Sequence, residues 1–262
     1  MSASEPAPGA TGLAPTADGE VEGNPLVVRF EPESPLLNSS VVTLTGTRVD
    51  SWGCAFTYPE LELAPGETAI AARQIEIDFT DCTTKVEIGT PPEGATGPGD
   101  GDVEYEQERL GSSAEGLPGS PSAGITAVSS GYYRVWWEDV INIQVHATQS
   151  NIAWTWNGSC VSQASGQSVF EWLKLTGWSR YSYSGPTWTI GSCLWGARLS
   201  TSATYRNSSF CPTGTVWSYY DQVRVRGTGD GKLIGNVVGT WTTYPSLCPK
   251  LHYHTELRRT SG

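Results

Sequence analysis

VWSYYDQVRVRGTGDGKLIGNVVGTW, residues 216–241, reads as two strands and the turn between them. Residues 216–226 and 232–241 are rich in Val, Ile, Trp and Tyr, and they flank Gly227-Thr-Gly-Asp-Gly231. Glycines around an Asp-Gly pair supply the positive φ angles that a tight hairpin needs. Working outward, the same grammar recurs at 195–206, 152–157, 141–148 and 132–138, and again at 251–258. On the N-terminal side it covers 26–30, 41–49, 52–58, 69–79 and 85–88. Within 69–79, Ile75, Ile77 and Phe79 alternate with Gln74, Glu76 and Asp78, the period of two of a half-buried strand. Short strands with frequent turn signals predict an all-β chain, an antiparallel β-sandwich or barrel with long loops and disulfides. One helix is expected at most, over 168–175, where Val169, Phe170, Trp172 and Leu173 suit a turn or two.

The punctuation between strands divides the chain. Residues 1–24 are Pro, Gly, Ala and Glu with little to bury, and are expected to form a disordered tail. Residues 25–89 read as an acidic N-terminal β region, 90–128 as a Gly/Pro/Ser-rich linker or long loop, and 129–262 as a Trp-rich C-terminal β domain. The two β regions are free to share one core. Charge follows the same division: 21 acids against 5 bases precede Gly116, and 6 against 11 follow it, so that 16 excess negative charges and 5 excess positive ones give the net −11. Ten of the eleven Trp lie from Trp136 onward.

Cys54, Cys82, Cys160, Cys193, Cys211 and Cys248 show none of the close pairs of a zinc or redox motif. An even count at wide spacing predicts disulfides and an oxidising compartment. Cys54–Cys82 is the economical pair in the acidic part; the other four allow three connectivities. Residues 1–24 carry neither a basic start nor a long apolar run, so a secretory leader is expected to have been removed. No stretch has the roughly 20 apolar residues of a membrane-spanning helix, and no membrane insertion is expected.

Three histidines stand in the chain, two of them as His252-Tyr-His254. Residues two apart on a strand project from one face with Cα atoms roughly 6.5–7 Å apart, close enough for both imidazoles to meet one ion. His146, from a neighbouring strand, is the third expected ligand, and nitrogen donors of this kind suit Zn or Cu. Glu256, about 13 Å along the strand from His252, is too far for that cluster and is read as a supporting carboxylate. Plain solvent-facing histidines are the competing reading, since all three fall on polar strand faces.

Aromatics form a second constellation. Trp154 and Trp156 share a face with Ile152 and belong to the core. Trp136, between Arg134 and Glu138, is expected on the exposed face, as are Trp178, Tyr181, Tyr183 and Trp188, which stand among Ser and Gly over 177–188. Such rings stack on sugars or dock partners at low entropic cost. Tyr220, Gln222, Arg224 and Arg226 alternate with Trp217, Tyr219, Val223 and Val225, which places Tyr220 and Arg224 on a basic outer face. An excess of five positive charges is too mild for a nucleic-acid binder. It could pair with the acidic part, within one chain or in self-association.

No P-loop, dinucleotide fingerprint, HExxH, GxSxG or EF-hand pattern is present. Glu138, Asp139, Glu171, Asp221 and Asp230 are the carboxylates from which a glycosidase pair would have to come. Asn38, Asn157 and Asn207 head glycosylation acceptor triplets. The segments 72–82 (ARQIEIDFTDC) and 202–211 (SATYRNSSFC) resemble parts of uncharacterised secreted proteins of Gram-positive bacteria, and the twelve Arg against four Lys suit a GC-rich genome. The resemblance implies secretion and carries over no activity and no functional residue. The expectation is therefore a secreted, disulfide-stabilised binding protein, without catalysis, that recognises a cell-surface or extracellular ligand such as a glycan. A metal-binding protein or metal-dependent enzyme built on the three histidines is the rival reading, and a self-associating structural protein the third.

Overall fold

The computed structural model describes residues 27–31, 34–49, 53–93, 105–118, 126–244, 248 and 250–262. Trp52 and the expected tail 1–24 lie outside the described residues. In chain order the strands are β1 (Val27–Arg29), β2 (Leu37–Thr45), β3 (Thr47–Arg48), β4 (Cys54–Ala55), β5 (Leu61–Leu63), β6 (Ala69–Asp78), β7 (Thr83–Thr90) and β8 (Glu106–Ser113). They continue with β9 (Ala127–Glu138), β10 (Gln144–Trp156), β11 (Val161–Trp172), β12 (Trp178–Ile190), β13 (Ala197–Cys211), β14 (Gly214–Gly227), β15 (Leu233–Thr243) and β16 (His252–Ser261).

Two antiparallel sheets carry the architecture. The larger has the order β2-β7-β6-β16-β9-β10-β11-β8, with β1 added on β6, and the smaller has the order β12-β13-β14-β15-β5. Neither closes on itself, so the fold is all-β and not a barrel. β10 crosses over β13 and β14, and the inner faces meet there. Tyr133, Val135, Ile152, Trp154 and Phe170 of the large sheet pack with Leu199, Tyr205, Val223, Val225, Leu233 and Val237 of the small one. Each such side chain contributes about 1.5–3 kcal/mol by leaving water, before the cost of ordering it.

The hairpin read at 216–241 is β14 and β15. Gly231 N donates to Thr228 O and Thr228 N to Lys232 O, both at 3.1 Å, and Gly231 has φ +83. A Cβ on Gly227 would stand 2.4 Å from the indole of Trp154, whose N–H donates to Thr228 O. The turn glycine therefore seats a core tryptophan of the opposite sheet.

Sequence halves interleave in space. β16 lies between β6 and β9, and β5 edges the sheet built from β12–β15. Four ion pairs, Glu60–Arg226, Glu62–Lys232, Glu106–Lys174 and Glu108–Arg180, join acids ahead of Gly116 to bases after it. The charge division of the sequence is thus partly closed within the chain. The stretch 90–128, expected as a linker or long loop, includes β8, an edge strand of the large sheet. The helix expected at 168–175 is instead the end of β11 followed by a single 3-10 turn, Lys174–Thr176. Pairing with β10 and β8 satisfies the backbone there.

All six cysteines are bridged: Cys54–Cys82 as expected, with Cys160–Cys193 and Cys211–Cys248 resolving the open choice. Among the described residues no helix is long and apolar enough to cross a membrane.

Candidate functional site

On β9, Tyr133, Val135 and Trp137 point into the core, so Arg134, Trp136 and Glu138 take the other face of the large sheet. β16 runs alongside with His252 opposite Glu138 and His254 opposite Trp136. This register gathers the three polar groups. Glu138 Oε2 stands 3.3 Å from His252 Nε2 and 3.1 Å from His254 Nε2. One ligand atom from each of the three residues lies within 4.8 Å of the other two.

The surroundings hold these groups still. Trp136 donates its indole N–H to Glu138 Oε1 at 2.7 Å and stacks on His254 with ring centroids 5.3 Å apart and planes within 14°. Phe30 packs against His252 with centroids at 4.6 Å, and the two imidazoles stand nearly perpendicular, at 87°. His252 and Glu138 are buried, and His254 retains a small exposed edge. Burial raises the Glu138 pKa, but the charge of His254, the close approach of the His252 and His254 Nε2 atoms and the hydrogen bond from Trp136 outweigh it and hold the carboxyl well below the usual range. Burial also lowers the pKa of His252. Flanking guanidiniums are engaged elsewhere: Arg73 with Glu87, and Arg134 with Glu171 and Gln144.

His146 does not join the cluster, which corrects the expected trio. It faces the opposite side of the sheet, fully buried between the sheets, stacked on Tyr205 at 4.4 Å and within 3.1 Å of the Tyr220 hydroxyl. The cause is local. Residues 139–143 form a turn in which Asp139 Oδ1 accepts the N–H groups of Ile141 and Ile143, and a register irregularity between Gln144 and His146 resets the alternation. Val140 and Ile141, apolar as they are, stand exposed on that turn. Glu256 is also on β16, but accepts from Tyr132 and Arg258 and remains outside the three-residue group.

The aromatic expectations divide. Trp136 is buried under His254, and Trp178 is buried in the core beside His146. Segment 177–188 is a strand, β12, whose pairing with β13 turns Trp178 inward. Tyr181 and Tyr183 are exposed as expected, and Trp188 is half-buried, donating to Ser112 Oγ. Tyr220 is buried because β14 bulges: residues 221 and 222 together face residue 202, so the inward phase passes from Val216, Ser218 and Tyr220 to Val223 and Val225. Arg224 stays on the outer face, bonded to Gln222.

A cross-strand aromatic row on the outer face of the small sheet was not picked out as a unit in the sequence. Tyr181 of β12 meets Trp217 of β14 edge to face at 4.9 Å, with the Arg206 guanidinium of β13 over both rings. Trp217, Tyr219 and Trp241 continue the row, successive planes lying within 18° of each other, and Tyr219 is 4.8 Å from Trp241. Each strand supplies outward alternate residues, and only the register shows that they adjoin. Beside Tyr219 lies a groove of about 250 Å³ lined by Ser182, Ser184, Ser202, Thr204 and Asp221. Partial burial raises the Asp221 pKa above the ordinary aspartate range.

No protein-family model, no curated protein and no solved structure matches the chain.

Proposed function

We propose that the protein is an extracellular binding protein that recognises a glycan on the outer face of its small sheet. The observation that carries this reading is the row Tyr181–Trp217–Tyr219–Trp241 beside a groove of four hydroxyl side chains and one carboxylate. Aromatic rings pack on the C–H faces of sugars, while Ser, Thr and Asp donate to and accept from sugar hydroxyls. Rigid strands on either side hold the rings in place, which lowers the cost of ordering them on binding. Three disulfides suit an oxidising extracellular setting.

Screening on a glycan array and on insoluble cell-wall polysaccharides tests the reading. Retention of the wild type on at least one glycan is expected, with Tyr219→Ala and Trp241→Ala each weakening it about tenfold or more, as loss of a central contact does. Undiminished retention by the double variant would remove the row from the binding site, and a wild type that holds no glycan would end the proposal.

A further inference from the structure

We propose that Glu138, His252 and His254 form a binding site for a divalent transition metal of the zinc class, separate from the aromatic row on the other sheet. Two imidazoles and one carboxylate are a ligand set that zinc accepts while leaving a fourth position open. Ligands about 2.0–2.1 Å from a tetrahedral zinc stand roughly 3.3 Å from one another. Glu138 Oε2 stands 3.3 Å and 3.1 Å from the two Nε2 atoms.

An ion pair of Glu138 with a protonated histidine is the simpler account, and two observations weigh against it. Both Nε2 atoms crowd the same carboxylate oxygen, yet neither they nor His252 Nδ1 makes a hydrogen bond. His252 is 2% exposed, so its ring nitrogens are shielded from bulk solvent. A shared ion would accept the Nε2 lone pairs and the Oε2 charge together.

The supporting contacts fit the same assignment. Trp136 occupies Oε1 through its indole N–H, which leaves Oε2 for the ion, and its stack on His254 sets that ring. Phe30 covers one side of His252, and His254 keeps a partly exposed edge.

Tag-free protein, stripped with a chelator and dialysed free of it, is titrated with ZnCl2 and separately with CoCl2. One equivalent of each is expected to bind, cobalt giving the visible d–d bands of a low-coordinate nitrogen/oxygen site. His254→Ala and Glu138→Gln should weaken zinc by roughly 100-fold or more, and Trp136→Phe by about 10–100-fold, the usual effect of removing an outer hydrogen bond. His146→Gln should leave zinc binding unchanged. Zinc-edge absorption of the unmutated protein provides the readout should a variant fail to fold. Imidazole scattering around a first shell at about 2.0–2.1 Å supports the site. Absence of bound zinc and cobalt, a first shell without imidazole, or a cobalt spectrum unaltered by His254→Ala overturns it.

Discussion

His146 Nδ1 lies 3.1 Å from the Tyr220 hydroxyl, joining the two sheets through two residues whose sequence patterns place them on outer faces. The ring is fully buried, and burial holds its pKa well below the ordinary histidine value. In the unfolded chain the same imidazole titrates near about 6.5. Below that pH the unfolded state takes up a proton that the folded state refuses, so stability falls as pH drops from about 6.5 toward the folded pKa. Compared with His146→Gln, the wild type should lose up to about 1.4 kcal/mol more per pH unit in this window. Urea midpoints at several pH values between neutrality and mild acid measure the difference, and parallel curves for the two proteins would refute the buried neutral state.

Trp178 and Tyr181 stand three residues apart on β12 with opposite fates, 1% and 59% exposed. Trp178→Ala is expected to cost about 3–5 kcal/mol, in line with truncating a buried tryptophan. Tyr181→Ala should cost less than about 1 kcal/mol, since only a partly exposed cross-strand contact is lost. Thermal denaturation of the two variants decides, and similar losses would contradict the assigned faces.

Gly196 has φ +79, and a Cβ there would come within 2.1 Å of the Gly227 carbonyl oxygen. Backbone cannot swing aside as a flexible side chain can, so Gly196→Ala should destabilise by more than about 2 kcal/mol. Gly111 on β8 has open space around the equivalent position. Alanine there should be neutral or stabilise by up to about 1 kcal/mol, through the unfolded state. Chemical denaturation of both variants provides the check, with equal effects counting against the close approach.

The three disulfides close loops of sequence separation 28, 33 and 37. By the chain-entropy model each stabilises by roughly 3.5–4 kcal/mol. Replacing both members of Cys160–Cys193 with Ser should lower stability by a few kcal/mol, and a non-reducing peptide map should join Cys160 to Cys193 and Cys211 to Cys248. Recovery of Cys160 linked to Cys211 or Cys248 would contradict the connectivity.

Much of the fold was legible because strand periodicity and turn residues are local signals. The hairpin around Gly227–Gly231, the core role of Trp154 and the Cys54–Cys82 bridge could all be read this way. His252 and His254 were legible as a pair for the same reason, being two apart on one strand. Glu138 was visible only as one carboxylate among several, because its place beside them depends on the register of β9 against β16, strands far apart in sequence. His146 and Tyr220 were misplaced because each follows an irregularity, and one extra residue turns every later side chain over. The aromatic row escaped notice because its members come from three strands and are neighbours only after pairing.

The position of β16 has a consequence for biosynthesis. A chain made from its N-terminus presents β6 and β9 long before β16 exists, and β16 is the strand that fills the gap between them. Until then both strands carry an unpaired edge, a template for pairing with another chain. These edges are closed only once synthesis reaches residues 252–261. His252 and His254 arrive on that same strand, so the Glu138 cluster is completed only when β16 joins β9.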